Sequence, residues 1–151
     1  GLGSKLRTEE VSRVASSISR FRMVRQALTL CQRRLAKKWS EKFPVVVEGR
    51  DIGTVVFPKV PFKFYVTASA EVRAKRRLAQ LRKAGVKGMT IKKVIRQNEL
   101  RDLQDSTRKL APLKVAEDAV VVDTSSMGIS QVVQFMRDHI QGRLSLPNVQ
   151  R

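Results

Sequence analysis

Apolar residues recur at helical spacing through the first quarter of the chain. Val11, Val14, Ala15 and Ile18 form one series, and Val24, Ala27, Leu28, Cys31, Leu35 and Trp39 form a second. Steps of three and four residues predict two amphipathic helices, one from a Thr8 N-cap to about Ser19 and one from about Arg22 to Glu41. Glu9 and Glu10 in the first turn suit the positive end of the helix dipole. The same spacing puts Cys31 and Trp39 on the core-facing stripe, so a buried thiol and a core indole are expected. The pattern changes at Pro44. Val45, Val46 and Val47 make a β-branched run of the kind that fits a strand buried on both faces, and Phe62–Val66 and Ala119–Val122 are two more strand candidates. Helical patterns fill the intervals, over about Ala70–Ala84 and Thr90–Lys109, and Ile129–Arg143 follows the last strand. Strands alternating with helices predict an α/β fold around a parallel sheet. Lys83–Gly88 and the tail Ser145–Arg151 are the linker-like segments.

Charge alters this picture more than any other bulk property. The 151 residues include 31 Lys and Arg against 13 Asp and Glu, a formal net charge of +18. Such an excess destabilises a compact state by self-repulsion and exceeds what solubility requires. Between Ile52 and Asn98 the one acidic residue is Glu71, while Arg76, Arg77, Arg82, Lys83, Lys92, Lys93 and others are basic. A merely solvated basic face would intersperse acids at i±4. The imbalance predicts a polyanionic partner, RNA first, bound through the basic helices. No apolar run approaches the roughly 18 residues of a membrane helix, and no apolar face accompanies the charge as a membrane-lying helix needs, so a soluble chain is expected. The N-terminal GLGSKLRTEE has no signal-peptide pattern. One cysteine rules out an intrachain disulfide. His139, the lone histidine, is expected at the surface.

Polar residues follow each candidate strand: Glu48–Asp51, Thr67–Ser69 and Asp123–Ser126. Open parallel sheets bind ligands outside the carboxyl ends of their strands, which makes these segments, and Arg50 and Asp51 above all, site candidates. A further cluster, Arg101, Asp105 and Arg108, is spaced i, i+4 and i+7, on one face of a helix. Two guanidiniums flanking a carboxylate suit a surface salt-bridge stripe, worth about 0.3–0.5 kcal/mol per pair. They suit equally a phosphate-and-sugar site, in which arginine forks meet phosphate oxygens and the aspartate accepts from a hydroxyl.

The stretch EGRDIGTVVFP, then TASAEVRAKRR, then RDLQDSTRKLAPLKVAEDAVVVDTS resemble the bacterial-type cytidylate kinases in order and approximate spacing, as do LRTEEVS and RFRMVRQAL ahead of them. The resemblance covers nearly the whole chain. It implies a single P-loop nucleoside-monophosphate kinase domain over residues 1–151, with a helical lid region near 90–110, that moves the γ-phosphoryl group of ATP to CMP or dCMP with Mg²⁺. By the same resemblance Ser16, Arg25 and Asp51 would hold the cytosine, Arg101 and Asp105 the sugar, and Arg50 and Arg108 the acceptor phosphate. Arg108 would also steady the group in transfer, making Arg50 and Arg108 the expected catalytic pair. Phosphoryl transfer depends mostly on positioning and charge neutralisation, which an arginine-rich site supplies.

The sequence departs from that family in one respect. No G-x-x-x-x-G-K-[ST] occurs in it, and GLGSK has the wrong spacing. That loop would supply the backbone cradle for ATP phosphates, the phosphate-reaching lysine and the Mg²⁺ hydroxyl. The chain as given is therefore expected to bind no cofactor itself, with ATP and Mg²⁺ entering only if a P-loop is supplied. In the family the strand feeding that loop lies between those matching Val45–Glu48 and Phe62–Val66. The expected fold is thus an incomplete P-loop-kinase-like parallel sheet flanked by helices, its gap filled by other polypeptide, either the rest of the same gene product or a second chain supplying a strand, or closed by direct pairing of the two strands in a collapsed sheet. Net charge and missing loop together point first to a non-catalytic, RNA-contacting component of a large ribonucleoprotein such as an organellar ribosome, mitochondrial before plastid. The alternative is a fragment of an active cytidylate kinase, cytoplasmic in a bacterium.

Overall fold

The computed structural model describes residues 9–145. Two helices open it, α1 (Glu9–Ile18) and α2 (Arg22–Ser40). The extended backbone of Phe21 separates them, and its carbonyl accepts from Arg25 N at 3.1 Å to start α2. The Thr8 cap lies outside the described residues. After Pro44 the chain runs without regular structure to a single π-helical turn, Ile52–Val56, in which the Asp51 carbonyl accepts from both Val55 N (2.9 Å) and Val56 N (3.1 Å). Then follow β1 (Phe64–Thr67), α3 (Ala70–Lys83), α4 (Ile91–Thr107), β2 (Val120–Asp123) and α5 (Ile129–Ser145).

β1 and β2 are parallel, in register from Phe64 opposite Val120 to Thr67 opposite Asp123. Each helix of the α3–α4 hairpin begins at the cap its sequence provides. The Ser69 side chain accepts from Val72 N, and the Thr90 side chain accepts from Lys93 N. Between them the chain reverses through Gly85 (φ +79°) and Gly88 (φ +76°), left-handed conformations that glycine adopts without a Cβ clash. Ala74, Leu78 and Val94 form the hairpin's buried core, flanked by Leu81, Met89, Ile91 and Ile95. An Arg73–Asp102 ion pair ties the two helices nearer their joint with the rest of the molecule. α5 touches the chain at and before β1, with His139 edge-on to Phe64 at 5.5 Å and Arg143 donating to the Pro61 carbonyl at 3.0 Å.

Four expectations are corrected. Val45–Val47 belongs to no sheet and Val46 is 95% exposed. A strand exists through the neighbour that pairs its N–H and C=O groups, and no described segment lies alongside to do so. Cys31 is exposed rather than buried. Trp39 is half exposed, tilted against Phe43, because the face of α2 that carries Leu28, Leu35 and Trp39 is uncovered among the described residues. His139 is half-buried, and its Nε2 is buried without a hydrogen-bond partner among the described residues. What holds is an α/β chain with a small parallel sheet and much uncovered apolar surface, consistent with an incomplete P-loop-kinase-like fold.

Candidate functional site

The segment Gly49-Arg50-Asp51 leads into the π-helical turn, and α4 ends beside it. Close approach fixes Gly49: a Cβ there would lie 2.8 Å from Ile52 Cγ1. Arg50 Nε donates to Asp105 Oδ2 at 3.0 Å, which joins the loop to the last turn of α4. Asp105 is buried, and its second oxygen lies 3.7 Å from Arg108 Nη1.

Arg108 is not on the helix, as the i, i+4, i+7 spacing predicted. Helix α4 stops at Thr107, and Arg108 has extended backbone (φ −62°, ψ 139°). Its guanidinium is still carried to the Asp105 side, because the chain folds back. Arg108 Nε donates to the Ala111 carbonyl at 2.6 Å, and Leu113 N donates to the Asp105 carbonyl at 2.8 Å. Ala111 has φ +48°, a left-handed conformation that costs a non-glycine residue on the order of 1 kcal/mol and is found most often where function holds a loop in place. Arg108 Nη2 is left buried with no partner among the described residues.

These groups line an open cavity of about 280 Å³. Arg50, Arg101, Asp105 and Arg108 form one wall, and Ser16 and Ser19 of the α1 end form the other. Arg25 and Asp51 stand beside it as a half-buried ion pair, with Arg25 also donating to the Ser19 carbonyl at 3.3 Å. The structure thus brings together Ser16, Arg50, Arg101, Asp105 and Arg108 around one cavity and joins Arg25 to Asp51 next to it. Burial, then the nearby Arg25, lower the Arg108 pKa, and Asp105 and Asp51 offset this in part. The guanidinium stays charged at neutral pH, and the arginines around it outnumber the carboxylates. Arg25, Arg50, Arg101 and Arg108 against Asp51 and Asp105 leave a surplus of two positive charges. A phosphomonoester carries about −1.5 to −2 at pH 7.

The other strand-end segments do not line this cavity. Ser69 N donates to Ser125 Oγ at 2.8 Å, and Thr124 Oγ1 donates to the Thr67 carbonyl at 2.9 Å. Arg76 donates to Thr124 Oγ1 and to its carbonyl, at 2.8 and 2.7 Å. The Asp123 carboxyl is held below its ordinary pKa by the Ser125 hydroxyl and then the Ser125 amide. These polar groups satisfy one another across the β1 and β2 ends. Among the described residues no three His, Cys, Asp or Glu side chains converge as a metal site.

Several residues that shape the site gave no sequence signal. Arg33 donates to the Val56 carbonyl at 2.8 Å and the Val55 carbonyl at 3.0 Å, yet in sequence it is one arginine among many. Lys63 is buried, with Nζ 2.7 Å from both Asp118 oxygens and 2.6 Å from the Pro58 carbonyl. Ala111 was invisible because nothing in an alanine announces a positive φ.

The family model described as cytidylate kinase matches residues 2–142. A cytidylate kinase of Citrifermentans bemidjiense is 43% identical over 144 residues, covering 95% of this chain and 60% of that protein. A cytidylate kinase of Thermosipho melanesiensis is 44% identical over 133 residues, 88% of this chain and 59% of that protein. One from Salinibacter ruber is 41% identical over 140 residues, 92% of this chain and 61% of that protein. The chain therefore spans about 60% of the length of the curated relatives it matches. A match running from the α1 region to α5, through every residue of the arginine-lined cavity, settles its kinship: the chain belongs to the cytidylate kinase family.

Proposed function

We propose that this chain is the acceptor side of a cytidylate kinase, the part that binds CMP or dCMP and presents its phosphate to a donor nucleotide held elsewhere. One observation carries the reading: a cavity of about 280 Å³ in which arginines and one aspartate converge with a net positive surplus. The buried, unpartnered Arg108 Nη2 is a donor awaiting an acceptor, and a phosphate oxygen supplies one. Arg50 and Arg108 hold the phosphate, Arg101 and Asp105 the sugar, and Ser16, Arg25 and Asp51 the base. Arg108 also neutralises charge on the group in transfer, because phosphoryl transfer needs orientation and charge stabilisation more than proton chemistry.

Mg²⁺ and ATP would be held by a P-loop, and the sequence given contains no such motif. The uncovered apolar faces support a companion segment, whether in the same polypeptide or another. Val66 and Val121 on the two strands, with Leu28, Leu35 and Trp39 on α2, are each about half exposed. Phosphoryl transfer then belongs to the assembled protein and not to these residues alone.

A second reading rests on the α3–α4 hairpin. From Arg77 to Arg96 its basic residues are all exposed and no acid is among them, which suits RNA phosphates in a ribonucleoprotein. RNA binding through this tip should weaken with salt, by a log–log slope of about −0.7 per neutralised phosphate for a single strand. Calorimetric titration with CMP, UMP, AMP and a short RNA separates the two readings. Saturable one-to-one binding that prefers CMP supports the acceptor site, whereas steeply salt-dependent RNA binding with no response to CMP supports the scaffold.

A further inference from the structure

Asp51 and Arg50 can meet a ligand only if the turn that follows them is held in place. That turn is one cycle of π-helix, closed by Val55 N and Val56 N to the Asp51 carbonyl and by Phe57 N to the Ile52 carbonyl at 2.7 Å. A single helical turn does not stand alone, because nucleation costs more than one cycle of hydrogen bonds returns. Its last carbonyls also lack partners within the turn. Arg33 supplies them: Nε donates to the Val56 carbonyl at 2.8 Å and Nη2 to the Val55 carbonyl at 3.0 Å, across more than twenty residues of sequence. Two turns earlier on the same helix, Arg25 pairs with the Asp51 side chain at the other end of the turn. Helix α2 thus grips the turn at both ends. From the far side, the buried Lys63 stem lies 3.4 Å from where a Gly53 Cβ would be.

We infer that Arg33 is a positioning residue for the acceptor site. Its guanidinium fork fixes the π-helical turn against α2 and so sets where Asp51 and Arg50 stand, without itself touching ligand. The fork matters more than the charge. Two carbonyls in fixed relation are matched by two coplanar N–H donors, whereas a lysine ammonium is a flexible point charge. The inference rests on the proposed acceptor function for its ligand readout, and on geometry alone for its structural one.

The test compares wild type with Arg33→Ala, Arg33→Lys and, as a charge control, Arg34→Ala. Hydrogen exchange of the Val55, Val56 and Phe57 amides is measured without ligand, and affinities for CMP and UMP are measured alongside. Arg33→Ala should speed exchange at those three amides tenfold or more while the α3–α4 hairpin amides stay unchanged. It should weaken CMP binding about tenfold or more and reduce preference for CMP over UMP. Arg33→Lys should fall between, and Arg34→Ala should match wild type. Unchanged exchange at the turn in Arg33→Ala overturns the inference, and so does unchanged affinity and selectivity in a protein whose wild type binds CMP. If wild type binds no CMP, the acceptor reading is what fails, and the exchange result alone decides for or against Arg33. Should Arg33→Ala not fold, Arg33→Lys carries the same comparison.

Discussion

Replacing Arg108 by methionine separates binding from folding, because the two depend on different atoms of this side chain. Methionine keeps the apolar stem and removes the guanidinium. In the empty protein, that loses the 2.6 Å bond from Nε to the Ala111 carbonyl, worth about 1 kcal/mol net. It also removes a buried donor with no partner, a group that costs about 1–3 kcal/mol, and relieves repulsion from Arg25 and Arg50. The 3.7 Å approach to Asp105 is too long for a hydrogen bond and adds little. These contributions oppose one another, so the chain without ligand should be no less stable than wild type and gain at most about 2 kcal/mol. With CMP bound, the same guanidinium makes a charge-assisted bond worth about 1.5–3 kcal/mol, so Arg108→Met should weaken CMP about 10- to 150-fold. Arg108→Lys should recover part of the affinity, since it restores charge without the fork. Urea unfolding and calorimetric titration of the same samples give both numbers. A variant destabilised by several kcal/mol, or one that binds CMP as wild type does, would refute this account of Arg108.

Four further outcomes follow from the same structure. Gly49→Ala sets a Cβ 2.8 Å from Ile52 Cγ1 and should cost about 1–3 kcal/mol by urea unfolding while weakening CMP binding, because the displaced Ile52 is the first residue of the turn that directly follows Arg50 and Asp51. Gly85→Ala meets no atom within 4 Å but must hold φ near +79°, so it should cost only the backbone term of about 1–2 kcal/mol and leave CMP affinity intact. The Lys63 hydrogen bond holds the Asp118 carboxyl below its ordinary value of 3.8, so the pair's contribution is full above that value and is lost as pH falls through the lower folded one. Asp118→Asn should therefore be less stable than wild type at neutral pH and lose less stability on acidification, as read from urea midpoints across about pH 6 to 2. Cys31 is exposed and should react with a thiol reagent at the rate of a free thiol in the native chain, and a companion segment that covers α2 should slow it, as stopped-flow absorbance would show.

Periodicity placed the helices well, because their stripes are long: the helices expected from about Ala70 and Thr90 begin at Ala70 and Ile91, capped by Ser69 and Thr90. The strand run Val45–Val47 looked as much like a strand as Val120–Val122 does. It failed to become one because pairing depends on a neighbour, which local sequence does not encode. Cys31 and Trp39 went wrong for the same reason, since an amphipathic stripe predicts a buried face only if something lies over it. At the site, the Arg-Asp pairs were legible as clusters of charge. Their convergence came from the fold-back after Thr107, in which Ala111 takes a positive φ that no residue name predicts. Arg33 was hidden among equally basic neighbours, and only its two carbonyl acceptors distinguish it.

Residue-resolved NMR of the ¹⁵N-labelled chain during a CMP titration tests the acceptor-site account most directly. The account predicts saturable shifts concentrated at Ser16, Ser19, Arg50, Asp51, Arg101, Asp105 and Arg108, with the Arg108 side-chain resonance among the largest and cytidine producing far smaller changes. Shifts that spread over Arg77–Arg96, that grow without saturation, or that cytidine reproduces equally would contradict it.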